Sequence, residues 1–113
     1  MSFKYCGLEL DSPFFLAPLA GYTDGTFRKL CREQGCALSV TEMVSAKGLY
    51  YKSQNTEALL KIDAEEGPVG IQLFGSEPEM LSFAANHLKD RPNVFIDINM
   101  GCPVPKIVKN GEG

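Results

Sequence analysis

Residues 69–99 read VGIQLFGSEPEMLSFAANHLKDRPNVFIDIN, and this stretch decides the fold. Residues 69–74 are an apolar run interrupted by Gly70 and Gln72. A short run of this kind, bounded by turn residues, reads as a strand covered on both faces. Ser76-Glu77-Pro78-Glu79 follows in the pattern of a capping box, with Ser76 as the cap and Glu79 reaching back. Met80, Leu81, Ala84 and Leu88 then recur on one helical face, and Arg91-Pro92 ends the helix. Residues 94–99 form a second apolar strand. Strand, helix and strand in succession, with strands too apolar to face water, predict a parallel sheet covered by helices.

The same alternation extends towards the N-terminus. Residues 3–10 alternate and turn at Gly7, which predicts a small β-hairpin. Pro13-Phe14-Phe15-Leu16-Ala17-Pro18 reads as a short buried strand between prolines. Thr23 or Asp24 caps a helix whose apolar face carries Phe27, Leu30 and Cys31, with Arg28, Lys29 and Arg32 off that face and Gly35 as its stop. Residues 37–41 read as a strand, 45–51 and 56–62 as helical segments, and the acidic 63–68 as a loop. After the fourth strand, residues 101–113 read as a loop bearing glycine and lysine. Each strand ends in glycine or polar residues: Ala20-Gly21, Glu42, Phe74-Gly75 and Gly101-Cys102-Pro103. In a (β/α)8 barrel those ends form the active-site face, and a full barrel takes about 250 residues. The expected class is α/β: the N-terminal half of a (β/α)8 TIM barrel, about four parallel strands with intervening helices, preceded by a small β-hairpin. A small open doubly wound sheet is the alternative that periodicity does not separate.

Composition narrows the function. The chain has 113 residues, 44% hydrophobic and 22% charged, which is ordinary for one globular domain. No apolar run approaches the ~20 residues of a membrane span, and residues 1–15 lack the basic and apolar regions of a secretory signal. The expected location is the cytoplasm. A net charge of −3 is not that of a dedicated nucleic-acid binder, so phosphate contacts to any RNA are expected to come mostly from sequence outside these residues. Cys6, Cys31, Cys36 and Cys102 suggest no disulfide framework in that location. His87, the single histidine, has no partner spacing for zinc, so no metal is expected.

Four polar or thiol residues stand out near strand ends. Cys102 lies between Gly101 and Pro103 directly after a strand, on a kinked turn of the kind that carries sites. Free cysteines are more often buried packing residues, yet thiols ordinarily titrate near ~8.5 and so can donate a proton at neutral pH. Gln72 interrupts an apolar run with an amide that both donates and accepts, which suits a planar heterocycle; a satisfied core glutamine is the bland reading. Asp97 and Asn99 alternate with Ile96 and Ile98 and share one strand face. The turn at Gly21-Tyr22-Thr23-Asp24 has neither a dinucleotide-binding glycine pattern nor a P-loop lysine. Lys106 and Lys109 read as a solvated loop, and the phenylalanines as core.

Four separated strings, in order, carry a resemblance. Ala17-Pro18-Leu19-Ala20-Gly21-Tyr22-Thr23-Asp24 is similar to the opening signature of the tRNA-dihydrouridine synthases. Thr41-Glu42-Met43-Val44-Ser45-Ala46-Lys47-Gly48-Leu49, Gln72-Leu73-Phe74-Gly75-Ser76 and Asp97-Ile98-Asn99-Met100-Gly101-Cys102-Pro103 resemble their second, third and fourth strand segments. A Lys-x-x-x-x-Gly-x-Gly tail follows, and the details look most like the bacterial-type enzymes. The resemblance implies an FMN-dependent oxidoreductase that reduces uridine in tRNA with NADPH. Carried over by position, it implies that Pro18, Leu19 and Ala20 line the flavin, Gln72 hydrogen-bonds its ring system, Cys102 donates a proton and Asn99 helps hold the base.

It further implies that residues 1–113 are a partial TIM-barrel catalytic domain, lacking the rest of the barrel and a C-terminal helical tRNA-binding domain. On that expectation the 113-residue piece alone binds FMN poorly and is inactive. Two other readings are another flavin TIM-barrel reductase acting on free pyrimidines, and a non-catalytic fragment. The Ala17-to-Asp24 opening favours the tRNA enzyme over the first of these.

Overall fold

The computed structural model describes residues 2–112. It begins with the expected hairpin, β1 (Phe3–Tyr5) against β2 (Leu8–Leu10). Its turn is Cys6-Gly7, with φ of 49° and 76°. A two-residue hairpin turn whose twist matches its strands needs positive φ at both positions, so Cys6 as well as Gly7 sits in the left-handed region. The remaining elements are β3 (Phe15–Leu16), α1 (Gly25–Glu33), β4 (Leu38–Val40), β5 (Val44–Ser45), α2 (Ala46–Tyr50), α3 (Gln54–Ala58), β6 (Val69–Phe74), α4 (Pro78–Leu88), β7 (Ile96–Ile98) and α5 (Pro105–Lys109).

All pairings in the main sheet are parallel: β3 with β4, β4 with β6, and β6 with both β5 and β7. β4 and β5 share one edge of β6, where Val40 registers with Gly70 and Val44 with Leu73; β7 takes the other edge. The chain thus advances four residues on one side for three on β6, which is a β-bulge. Thr41 sits in it, and its hydroxyl oxygen accepts the Gln72 backbone N–H at 3.2 Å. The result is an α/β fold with a four-position parallel sheet and a separate hairpin, consistent with the N-terminal part of a TIM barrel.

Strand alternation divides the core in two. Ile71 and Leu73 face the helices, where they pack with Val44, Ala46, Leu49, Leu60, Ala84 and Leu88. Burying each large aliphatic chain there stabilises by about 1.5–3 kcal/mol. The other face of the sheet carries Gly70 and Gln72, with Phe95 and Asp97 beside them. Its lower end is apolar: Phe15 and Phe95 meet Phe3 and Tyr5 of the hairpin edge-on, with ring centroids 5.0–6.1 Å apart. The hairpin therefore closes the N-terminal end of the sheet and leaves the polar end open.

Several local expectations are corrected. Ser76 does not cap α4; Glu77 is the N-cap, with no side-chain bond, and Pro78 is the first helical residue. Proline favours that position because its missing N–H would have no partner there, and this shifts the cap out of frame with Glu79. Asp24, not Thr23, caps α1, accepting from the Phe27 N–H at 2.9 Å. On α1, Phe27 is 41% and Leu30 54% exposed, whereas Arg28 is 3% exposed. Arg28 turns inward because Glu66 and two backbone carbonyls receive it. The second helical segment beyond β5 begins at Gln54 rather than residue 56, since Ser53 caps it, and ends at Ala58. The acidic loop contains a 3-10 turn, Ala64–Glu66, closed by an Asp63/Glu66 capping box. The expected terminal loop contains α5, begun by Pro105; Gly113 lies outside the described residues.

Candidate active site

The polar end of the sheet is organised by one line of hydrogen bonds. Gln72 and Asp97 are register partners on β6 and β7. The Gln72 Nε2 donates to Asp97 Oδ2 at 2.7 Å. Asn99 Nδ2 donates to Gln72 Oε1 at 3.2 Å. Asn99 Oδ1 in turn accepts the backbone N–H groups of Gly101 at 3.1 Å and Cys102 at 3.2 Å. Gln72 is 7% exposed, while Asp97, Asn99 and Cys102 are half-buried. Gln72, Asn99 and Cys102 are thus brought together at one rim, and Asp97 shares the face of Asn99 as strand alternation requires.

The direction of this line is determined at both ends. Backbone N–H groups can only donate, so the Asn99 oxygen must face Gly101 and Cys102. Asn99 then presents its NH2 to Gln72, which must accept with Oε1 and point Nε2 at the Asp97 carboxylate. After these bonds, Gln72 retains one N–H and one oxygen lone pair. The nearby phenol of Tyr5 is held above its ordinary value, first by Cys6, then by lost hydration and lastly by the charge of Asp97.

A second hydrogen-bonded loop stands at the same end of the sheet. The Thr23 hydroxyl accepts the Leu19 N–H at 2.9 Å and bonds the Leu19 carbonyl at 3.2 Å. The Tyr22 and Thr23 N–H groups also reach that carbonyl, each at 3.0 Å. Arg28 Nη1 donates to the Thr23 carbonyl at 2.7 Å. Gly21, at φ 80°, donates its N–H to Glu42 Oε1 at 2.5 Å, which ties the loop to the chain leaving β4. Pro18 is half-buried here, and Leu19 and Ala20 are exposed. Thr23 and Glu42 escaped the sequence reading as site-shaping residues. A lone carboxylate directly after a strand was the available signal for Glu42.

Several clefts lie away from the Gln72 line. One of about 200 Å³ is lined by Lys47, Gly75, Ser76, Glu77, Met80 and Asn110, and one of about 330 Å³ adjoins Asp24, Arg28, Glu42 and Lys61. The Gln72 line is instead on the open face of the sheet. Its chemistry, not its enclosure, marks it as the candidate site. Among the described residues, no cluster of three or more His, Cys, Asp or Glu side chains is arranged to hold a metal. No described helix is long and apolar enough to cross a membrane. Lys106 and Lys109 are exposed on and beside α5.

The profile described as Dihydrouridine synthase (Dus) matches residues 15–113. The chain belongs to the dihydrouridine synthase family. Over 108 residues it is 41% identical to a probable tRNA-dihydrouridine synthase of Treponema pallidum, covering 94% of this chain and 32% of that protein. It is 38% identical over 104 residues to tRNA-dihydrouridine synthase B of Pseudomonas aeruginosa, covering 92% and 31%. It is 43% identical over 96 residues to a probable tRNA-dihydrouridine synthase of Aquifex aeolicus, covering 84% and 30%. The chain spans about a third of the length of these dihydrouridine synthases. The match includes both the loop at residues 17–24 and the Gln72–Cys102 line.

Proposed function

We propose that this chain is the N-terminal part of a cytoplasmic, FMN-dependent tRNA-dihydrouridine synthase. The full-length oxidoreductase would reduce uridine in tRNA to 5,6-dihydrouridine with NADPH. The carrying observation is the unbroken line from Asp97 through Gln72 and Asn99 to the backbone of Cys102. Membership of the family, and its similarity to tRNA-dihydrouridine synthases, support the reaction class. On this reading, residues 1–113 are a partial barrel, and the rest of the barrel and a helical tRNA-binding domain belong to the full-length protein.

The residues present fit a flavin. The donor and acceptor left on Gln72 match the alternating N–H and C=O groups of a flavin pyrimidine edge. The loop at 17–24, braced by Thr23 and Glu42, offers the backbone of Pro18, Leu19 and Ala20 as a preformed wall. The chemistry supplied by bound FMN, once reduced by NADPH, is a hydride for C6 of the uracil ring.

The protein's own part is positioning and proton delivery. The target uridine must leave the RNA stack to reach this rim. Asn99 has one N–H left after bonding Gln72, and it can hold the base through that hydrogen. As C6 gains hydride, charge develops towards the C4 carbonyl and C5 becomes basic. The Cys102 Sγ–H delivers its proton to C5, acting as general acid. Asn99 helps fix where that thiol stands by accepting the backbone N–H groups of Gly101 and Cys102.

In the full-length protein, Cys102→Ala should slow uridine reduction roughly 10²–10⁴-fold, the usual worth of a general acid. Reduction of the flavin by NADPH should proceed as before. Stopped-flow absorbance separates the two half-reactions, and an unchanged uridine half-reaction would remove Cys102 from the mechanism. Turnover of a free pyrimidine in place of tRNA would redirect the proposal to a different flavin barrel.

A further inference from the structure

Resting on the flavin reading of Gln72, we propose that Asp97 is a positioning residue that fixes the polarity of the Gln72 amide. A glutamine amide is nearly symmetric in shape but opposite in hydrogen bonding at its two ends. Turned over, it would offer a donor where it now offers an acceptor, and a flavin edge would meet the wrong partner.

Three groups prevent that reversal. A reversed Gln72 would set Oε1 against the Asp97 carboxylate, oxygen against oxygen, where Nε2 now donates at 2.7 Å. It would also set Nε2 against the Asn99 NH2, which now donates to Oε1 at 3.2 Å. Asn99 cannot turn to relieve this, because its oxygen is held by the Gly101 and Cys102 N–H groups. At 7% exposure Gln72 has little access to water that would substitute for either partner. Asp97 and the two loop N–H groups are therefore the fixed ends, and Gln72 and Asn99 are oriented between them.

The side-chain hydrogen bond of Asp97 goes to Gln72. Its effect on cofactor binding passes through Gln72, and acceptance of a hydrogen bond is the property that matters. An amide at position 97 can still accept from Gln72 Nε2 through its own side-chain oxygen. An aliphatic chain at 97 cannot.

The test measures FMN dissociation constants by flavin fluorescence quenching in the full-length protein, with a melting temperature for every variant. Gln72→Leu and Asp97→Leu are each expected to weaken FMN about tenfold, a typical worth for one well-placed hydrogen bond. Asp97→Asn should stay within about threefold of the parent. The double variant Asp97→Leu/Gln72→Leu should bind about as Gln72→Leu alone, because residues in one network are not additive. If Asp97→Leu does not fold, Asp97→Ala carries the same expectation.

Parent-like FMN binding by Asp97→Leu, beside a weakened Gln72→Leu, overturns the proposal and leaves the flavin reading standing. So does an additive double variant, or an Asp97→Asn as weak as Asp97→Leu, which would assign the effect to charge. Parent-like binding by Gln72→Leu overturns the flavin reading of that residue, and the role of Asp97 falls with it.

Discussion

A side chain at position 70 would enter the ring of Phe95. Glycine is required at this point because the ring of Phe95, just before β7, lies over the backbone, not because of φ. Gly70→Ala should destabilise by about 2 kcal/mol, in the range of core overpacking. Phe95→Leu in the same molecule should recover part of that loss, since the two sites share one space. Urea unfolding of the single and double variants checks both statements, and a Gly70→Ala protein as stable as its parent would contradict the packing. At this scale the site was legible where chemistry interrupts a pattern. Gln72 breaks an apolar run, and Cys102 sits between glycine and proline after a strand. Thr23 and Glu42 were not legible as loop braces. The bond from Gly21 to Glu42 spans a sequence separation of 21, and nothing in composition pairs them. Thr23 was read only as one of two candidate caps, with Asp24, because the sequence does not show which of two adjacent oxygens faces the helix.

Elements were legible in proportion to how completely tertiary structure surrounds them. β6 has strands on both edges and lies almost wholly buried, so residues 69–74 are apolar apart from Gly70 and Gln72, and its boundaries were found without error. α1 was read wrongly because its stripe of Phe27, Leu30 and Cys31 suggested the buried face. Its buried member is Arg28, whose Nε stands 2.5 Å from Glu66 Oε1, with the two side chains 3% and 1% exposed. No periodicity rule places an arginine inward when its partner lies in a distant acidic loop. Arg28 also donates to the carbonyls of Thr23 and Lys61, so this pair joins α1, the site loop and the 3-10 turn. Glu66→Gln strands a buried guanidinium charge and should cost about 3 kcal/mol, because breaking one partner of a buried pair is more damaging than removing both. The double variant Arg28→Met/Glu66→Leu should therefore be more stable than Glu66→Gln, again by urea unfolding. Equal stability of the two would mean that the charge is solvated and the pair contributes little.

At the scale of the whole molecule, the sheet's two ends differ in kind. The hairpin closes the N-terminal end with aromatic rings, whereas the polar end and both lateral edges, β3 and β7, have no further strand among the described residues. Large apolar groups line the β3 side in particular: Phe14 is 72% exposed, and Phe27 and Leu30 stand exposed on the following helix. An unpaired apolar strand edge recruits other edges, and exposed apolar patches of this kind drive association. Residues 1–113 expressed alone should therefore self-associate. On the proposed reading as a partial barrel, they should also bind FMN at least about tenfold more weakly than the full-length protein, a loss that corresponds to just ~1.4 kcal/mol. Sedimentation velocity and FMN titration measure the two effects separately. Phe14→Lys places a charge beside the β3 edge, a device that natural edges use against pairing, and should reduce association without changing FMN affinity, since Phe14 precedes β3 at the end away from the Gln72 line. A monomeric 113-residue chain that saturates with FMN as tightly as the full-length protein would show that four strand positions suffice for cofactor binding.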